Sequence, residues 1–216
     1  MLALLHTSPL HIPLFDALRD EHHPGLELRH SVAPDLLVRA REHGPEAVAA
    51  DVATALRRAA AEGVQAVLCT CSTIGEVAER AAGEVGVPVI RGDRPMAAAA
   101  VTAGPRIAVL ATVESTLAPT LALLDDEARR AARPIRARAR VVPDAWSRFE
   151  AGDIEGCAQL VAAAADAVTD ADVILLAQAS MTSAARLTAT TLPILSSPRP
   201  GLAAAAAAGS ARATVG

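Results

Sequence analysis

Leu68-Cys69-Thr70-Cys71-Ser72-Thr73-Ile74 and Leu175-Leu176-Ala177-Gln178-Ala179-Ser180-Met181 are the same passage written twice, 107 residues apart (175 − 68). In each, an apolar run reads as a buried strand, small residues make a tight turn, and a helix-like pattern follows at once. Other pairs repeat at a nearly equal offset. Leu2-Ala3-Leu4-Leu5-His6-Thr7 matches Ile107-Ala108-Val109-Leu110-Ala111-Thr112, and Arg94-Pro95 matches Arg199-Pro200, both at 105 (107 − 2 and 199 − 94). Val87-Pro88-Val89-Ile90 likewise matches Leu192-Pro193-Ile194-Leu195. Two copies of a β/α unit with short apolar strands predict two parallel sheets flanked by helices, so the fold class is α/β. Ligands of such sheets bind beyond the carboxyl ends of the strands. Two copies facing each other would place those loops around one cleft.

Outward from these passages, the first half reads as strands over 2–5, 26–30, 64–70 and 87–90, with helices over 13–21, 34–43, 45–62, 75–84 and 95–102. Pro45 opens the long helix and Gly63 stands just past its end. Gly104-Pro105 marks a break, after which the pattern restarts. The second half predicts strands over 106–111, 135–140, 172–177 and 192–195. Its helices run from the Thr112–Thr116 turn to about 132, over 153–169 with Asp153 as N-cap, and over 181–189. Arg136, Arg138 and Arg140 alternate, which suits an edge strand with one wet face. The run Ala203–Ala208 between Gly201 and Gly209 predicts a short terminal helix with a frayed tail. The expected domains are 1–97 with about 197–216, carrying Cys71, and 98–196, carrying Gln178.

The 216 residues are 52% hydrophobic but only 1% aromatic, so the core must be built from Ala, Val, Leu and Ile. All 20 basic residues are arginine, which excludes lysine Schiff-base chemistry and a P-loop lysine. The net charge of −4 argues against nucleic acid as a partner. Three cysteines do not make a disulfide framework, and a reducing cytoplasm fits them better. The Leu2–Leu5 run is too short for a signal peptide and no window suits a membrane span, so no membrane association is expected.

Cys71 is the candidate reactive group. It lies where unpaired backbone N–H groups and a helix dipole would favour negative charge and lower the thiol pKa. The structural alternative is a small buried strand residue, which is the preferred reading of Cys69; Cys157 reads as a core residue. Four strand-end segments supply the remaining candidates: His6-Thr7-Ser8, Cys71-Ser72-Thr73, Thr112 to Thr116 (with Glu114, Ser115 and Thr116) and Gln178-Ala179-Ser180. Hydroxyls and helix N-termini with little positive charge suit a small carboxylate, although Ser and Thr also cap helices for stability alone.

With these motifs in place, the chain resembles the aspartate/glutamate/hydantoin racemase superfamily over essentially its whole length. The resemblance implies two similar flavodoxin-like (Rossmann-like) α/β domains related by a pseudo-two-fold axis, with the active site between them. Members carry a Cys-Asn-Thr-like motif in the first half and a Gly-Cys-Thr-Glu-like motif in the second. Cys71-Ser72-Thr73 stands at the first and matches its thiol and threonine. Gln178-Ala179-Ser180 stands at the second and departs from it, because glutamine replaces the thiol. The resemblance implies a cofactor-independent enzyme and a homo-oligomer, since many relatives are dimers or larger.

Racemases of that family use two thiols on opposite faces of a carbon acid. An amide accepts no proton near neutral pH, so Gln178 makes two-thiol racemisation an unsuitable reading. Three readings remain. In one, Cys71 alone moves a proton on a small carboxylate, in isomerisation or in decarboxylation of a malonate-like acid, with Gln178 stabilising an oxyanion and His6 assisting the thiol. In another, Glu114 replaces the lost thiol as second base. In the third, the chain binds a carboxylate without turnover. Ligand spacing does not predict a metal site: Cys69 and Cys71 have one residue between them, short of the usual two to four. No glycine-rich phosphate motif follows a strand. Trp146 and Phe149 are candidates to line one side of the cleft.

Overall fold

The computed structural model describes residues 1–213, and the side chains of 1–212. The chain divides into two compact units, Met1–Asp93 together with the segment from Pro198, and Arg94–Ser197.

The first unit contains β1 (Leu2–His6), α1 (Ile12–His22), β2 (Leu28–Val32), α2 (Pro34–His43), α3 (Ala49–Ala60), β3 (Ala66–Cys69), α4 (Gly75–Arg80), α5 (Ala82–Val85) and β4 (Val89–Arg91). Its four strands are parallel, in the order β2-β1-β3-β4. The second unit contains α6 (Arg94–Ala103), β5 (Arg106–Ala111), α7 (Leu117–Arg130), β6 (Arg136–Val141), α8 (Ala145–Glu150), α9 (Ile154–Asp166), β7 (Val173–Leu176) and β8 (Ile194–Ser196). Its strands are also parallel, in the equivalent order β6-β5-β7-β8. The α/β class and the two parallel sheets expected from the repeat are what the chain forms.

Side-chain alternation explains why both faces of each sheet are covered. In the first unit, Ala3, Leu5, Val67 and Cys69 pack with Leu36, Val52, Leu56 and Ile74. Leu2, Leu4, Ala66 and Leu68 pack on the other face with Phe15, Leu202 and Ala205. In the second, Ile107, Val109, Val173 and Leu175 meet Met96, Leu123 and Leu124. Leu110, Ile174 and Leu176 meet Phe149, Cys157 and Val161. Few aromatics are needed, because Val, Leu and Ala fill these layers.

Several local expectations are corrected. β2 begins two residues late because Leu26 N–H still donates to His23 O in the preceding turn, at 3.0 Å. The segment 45–62 is a 3-10 turn, Pro45–Val48, followed by α3, and the segment 75–84 is split between α4 and α5. Ala179–Arg186 winds as a 3-10 helix. Asp153 caps α9 as expected, its carboxylate accepting from Gly156 N–H at 2.9 Å. β6 is an edge strand with alternating exposure, as its arginines suggest. Arg138 pairs with Asp170 at 3.2 Å, and Arg140 donates to Ala164 O. The short helix α8 was not anticipated. Phe149 is buried on the second sheet, and the half-buried Trp146 ring lies tilted against it at 5.5 Å, so both pack on that core.

The last helix, α10 (Pro198–Ala213), runs straight through Gly201 and Gly209 instead of being bounded by them. The tail expected to fray extends into 214–216, outside the described residues. The reason is packing. Gly201, Ala205 and Gly209 recur every fourth residue and lie against the first unit's sheet. A Cβ on Gly201 would stand 2.6 Å from Gly92 O, and one on Gly209 would stand 3.1 Å from Leu2 Cδ2. The Gly201 contact is with backbone, which cannot rotate away. Gly201→Ala is therefore expected to destabilise the protein by about 1–3 kcal/mol in chemical denaturation, the range for overpacking. An unchanged midpoint would mean that α10 sits farther from β4 than described.

Candidate active site

The first unit builds a corner where β1 and β3 end side by side. Leu5 is in register with Cys69, and Thr70 N–H and its hydroxyl both reach Leu5 O at 3.1 Å. The chain then leaves the sheet through Cys71-Ser72-Thr73-Ile74 and enters α4. Cys71 is partly exposed, whereas Thr7, Ser72 and Thr73 are buried. The Cys71 sulfur accepts hydrogen bonds from the Thr7 hydroxyl and from the N–H groups of Ile74 and Thr73.

Those three donors favour a thiolate, as the sequence reading expected, yet the balance goes the other way. Burial pushes the Cys71 thiol above its ordinary value, and the nearby Asp93 carboxylate adds to the effect. Desolvation outweighs the donors, so the expectation of a lowered thiol pKa is corrected. Cys71 therefore rests as a protonated thiol, with three donors in place for the charge it would carry as a thiolate. Cys69 is fully buried in the core, and burial pushes its thiol up to about 12. Cys157 is a core residue.

His6 does not reach Cys71. Its Nδ1 lies 2.9 Å from Thr70 Oγ1 and its Nε2 lies 2.9 Å from His30 Nδ1, so both ring nitrogens are taken. His30 in turn contacts Asp16 at 3.3 Å. The ring also packs against Phe15 and His11. Burial, with smaller repulsion from His11 and His30, lowers the His6 pKa to about 3, and burial lowers that of His11 to about 4. The thiol's neighbour on the β1 side is Thr7, and His6 serves the wall behind it. Ser8 caps the 3-10 turn Pro9–His11, accepting from Leu10 N–H at 3.3 Å.

The second unit builds the same corner with different groups. Leu110 is in register with Leu176, and Ala177 N–H donates to Leu110 O at 2.9 Å, as Thr70 does to Leu5. Gln178 therefore occupies the Cys71 position and Thr112 the Thr7 position. Gln178 Oε1 accepts from Thr112 N–H at 2.5 Å and from the Thr112 hydroxyl at 3.0 Å. A backbone N–H can only donate, so the oxygen must face it and the NH2 end must point away. Thr116 and Ala179 are buried. The hydroxyls of Ser115 and Ser180 are buried without a hydrogen-bond partner. Glu114 is exposed at the start of the 3-10 turn Glu114–Thr116.

Two residues near Cys71 were missed in the sequence. Arg91, in register with Cys69 at the end of β4, forms a two-pronged ion pair with Asp93 (Nε to Oδ1 2.7 Å, Nη2 to Oδ2 3.2 Å), and both are about as buried as core leucines. A charged pair two residues apart directly after an apolar strand was the available signal. Among the described residues, no group of three or more His, Cys, Asp or Glu side chains could hold a metal ion. No described helix is long and apolar enough to cross a membrane.

Comparison with known proteins now bears on these corners. Residues 13–208 match the family model for Asp/Glu/Hydantoin racemase. The chain belongs to the Asp/Glu/hydantoin racemase family. Its fold is similar to that of Picrophilus torridus aspartate racemase, with 13% identity, 98% of this chain and 94% of that chain covered, and a TM-score of 0.70. It is also similar to glutamate racemase from Francisella tularensis subsp. tularensis SCHU S4 (11% identity, 95% and 79% covered, TM-score 0.71). A third similar structure is a glycine-to-cysteine mutant of arylmalonate decarboxylase (18% identity, 97% and 93% covered, TM-score 0.66). At these identities the likeness is one of fold. No curated protein matches the sequence. Within the racemase family fold, this chain carries a thiol at one strand-end corner and an amide at the other.

Proposed function

We infer that this family member is a cofactor-independent enzyme that moves a proton on a small carboxylate with a single thiol, Cys71. The observation that carries the reading is the contrast between the two corners. Cys71 has a hydroxyl and two N–H groups aimed at its sulfur, whereas Gln178 offers an amide donor and no base. An amide orients or donates hydrogen bonds, so it adds no second proton-transfer group. Thr73, Ile74 and Thr7 would stabilise the thiolate left when the proton departs.

A second reading is favoured by the protonated resting thiol. Decarboxylation of a malonate-like acid breaks a C–C bond, releases CO2 and leaves an enediolate carbon that needs a proton. Cys71 S–H would deliver that proton and be reprotonated from water. Arylmalonate decarboxylase, one of the similar folds, carries that reaction in its name.

The test is NMR in D2O with aspartate, glutamate, 5-substituted hydantoins, maleate and alkylmalonates. Deuterium entering at the α-carbon, or loss of a carboxyl group, that depends on Cys71 supports the reading. Binding of these acids with no exchange or product would favour a carboxylate-binding protein. The pH profile separates the two chemistries. Because burial holds the thiol above its ordinary value, a proton-donor role gives a rate that stays flat through neutral pH and falls only at alkaline pH. A base role gives a rate that climbs across the same range.

A further inference from the structure

We propose that the buried Arg91–Asp93 pair is the positioning element of Cys71: it holds the turn that wraps the thiol and sets the charge the sulfur feels. This rests on the reading of Cys71 as the acting thiol. The pair is tied to the turn at three places. Arg91 is in register with Cys69, and Gly92 N–H donates to Cys69 O at 2.9 Å, which carries the β3–β4 pairing to the edge of the turn. The Arg91 side chain then lies across Gly75, the first residue of α4. A Cβ there would stand 2.7 Å from Arg91 Nε and 3.1 Å from its Cδ and Cγ. Gly75 N–H closes the turn by donating to Ser72 O at 3.2 Å. The Arg91 side chain thus covers the backbone directly after the Thr73 and Ile74 N–H groups that bind sulfur.

Asp93 fixes that side chain with two hydrogen bonds, at 2.7 and 3.2 Å. The two-pronged geometry suits Arg and not Lys, because only a planar fork meets both carboxylate oxygens. The titratable groups facing this corner are Arg91 at the end of β4, Asp93 just past it, and Cys69 from β3. His6, from β1, is occupied by Thr70 and His30. Asp93 is the anionic member, and its field opposes ionisation of Cys71. The ion pair therefore has two consequences that can be separated: the shape of the turn, and an addition by Asp93 to the burial that keeps the thiol as S–H.

The experiment is alkylation of the intact protein by iodoacetamide across pH 6–11, read at the Cys71 peptide by mass spectrometry. Asp93→Asn keeps an oxygen that can accept from Arg91 and removes the negative charge. Its alkylation midpoint should fall to lower pH, with faster labelling than the parent at pH 7.5. An unchanged midpoint in folded Asp93→Asn protein would overturn the proposal, since a purely structural role does not move a titration. Should that variant not fold, Arg91→Gln with Asp93→Asn keeps a neutral hydrogen-bonded pair in the same space. Its midpoint is likewise expected below that of the parent, and equality with the parent overturns the proposal. Alkylation needs no turnover. If Cys71→Ser retained activity while the Asp93→Asn midpoint fell, the pairing would stand and the role assigned to Cys71 would fail.

Discussion

Replacing Cys71 with serine is expected to lower kcat/KM on the enzyme's carboxylate substrate by about a hundred- to ten-thousand-fold, the range for removing a positioned acid or base. A serine hydroxyl fits the space and can still meet Thr7 and the N–H groups of Thr73 and Ile74. It is far too weak an acid to supply a proton at the same rate. The change should therefore separate chemistry from folding. The melting temperature should stay within a few degrees of the parent, because Cys71 is only partly buried and sits at the margin of the core cluster. Glu114→Gln is the paired control. Glu114 is exposed at the start of its turn, and the account expects little loss from it. If Glu114→Gln were the damaging change and Cys71→Ser the mild one, the assignment of the acting group would be reversed.

The second large effect is on stability against acid. His6 and His11 are held neutral in the folded chain, with pKa values of about 3 and about 4. In the unfolded chain both return to about 6.5. Between these values the unfolded state binds protons that the folded state refuses, so stability falls as pH falls. At pH 5 each histidine contributes about 2 kcal/mol of that loss relative to neutral pH, or roughly 4 kcal/mol together. Most carboxylates remain ionised at pH 5, so the window from 7 to 5 belongs mainly to histidine. Urea denaturation at pH 7, 6 and 5 checks this, with His6→Gln alongside. The parent should lose stability steeply and the variant should lose about half as much. Equal stability at pH 7 and 5 would mean that these rings gain protons within the fold.

Much of this architecture was readable because the chain states it twice. The apolar runs ending at Leu68 and Leu176 are buried on both faces of their sheets, so no alternation with polar residues obscures them. The pairing of Cys71 with Gln178 followed from the same repeat, and the hydrogen bonds of Thr70 to Leu5 and Ala177 to Leu110 place them at equivalent strand ends. What stayed hidden depended on through-space contact. Gly201 and Gly209 look like helix stops until the sheet they touch is known. His6 lies beside the thiol's strand, but its ring nitrogens are taken by Thr70 and by His30 from a neighbouring strand, a competition no spacing reveals. The thiol's ionisation was misread for a related reason. The local donors are visible in sequence, whereas the burial that outweighs them is a property of the packed unit.

The most direct test of a single acting thiol is the stereochemistry of the product formed in D2O. An α-substituted malonate, or whichever acid of the panel is turned over, is converted by the parent enzyme. The deuterated product is then resolved on a chiral column. One thiol on one face requires a single enantiomer carrying deuterium, with formation that disappears in Cys71→Ser. A racemic deuterated product that still depends on Cys71 would contradict this, because it requires a second group that moves protons on the opposite face.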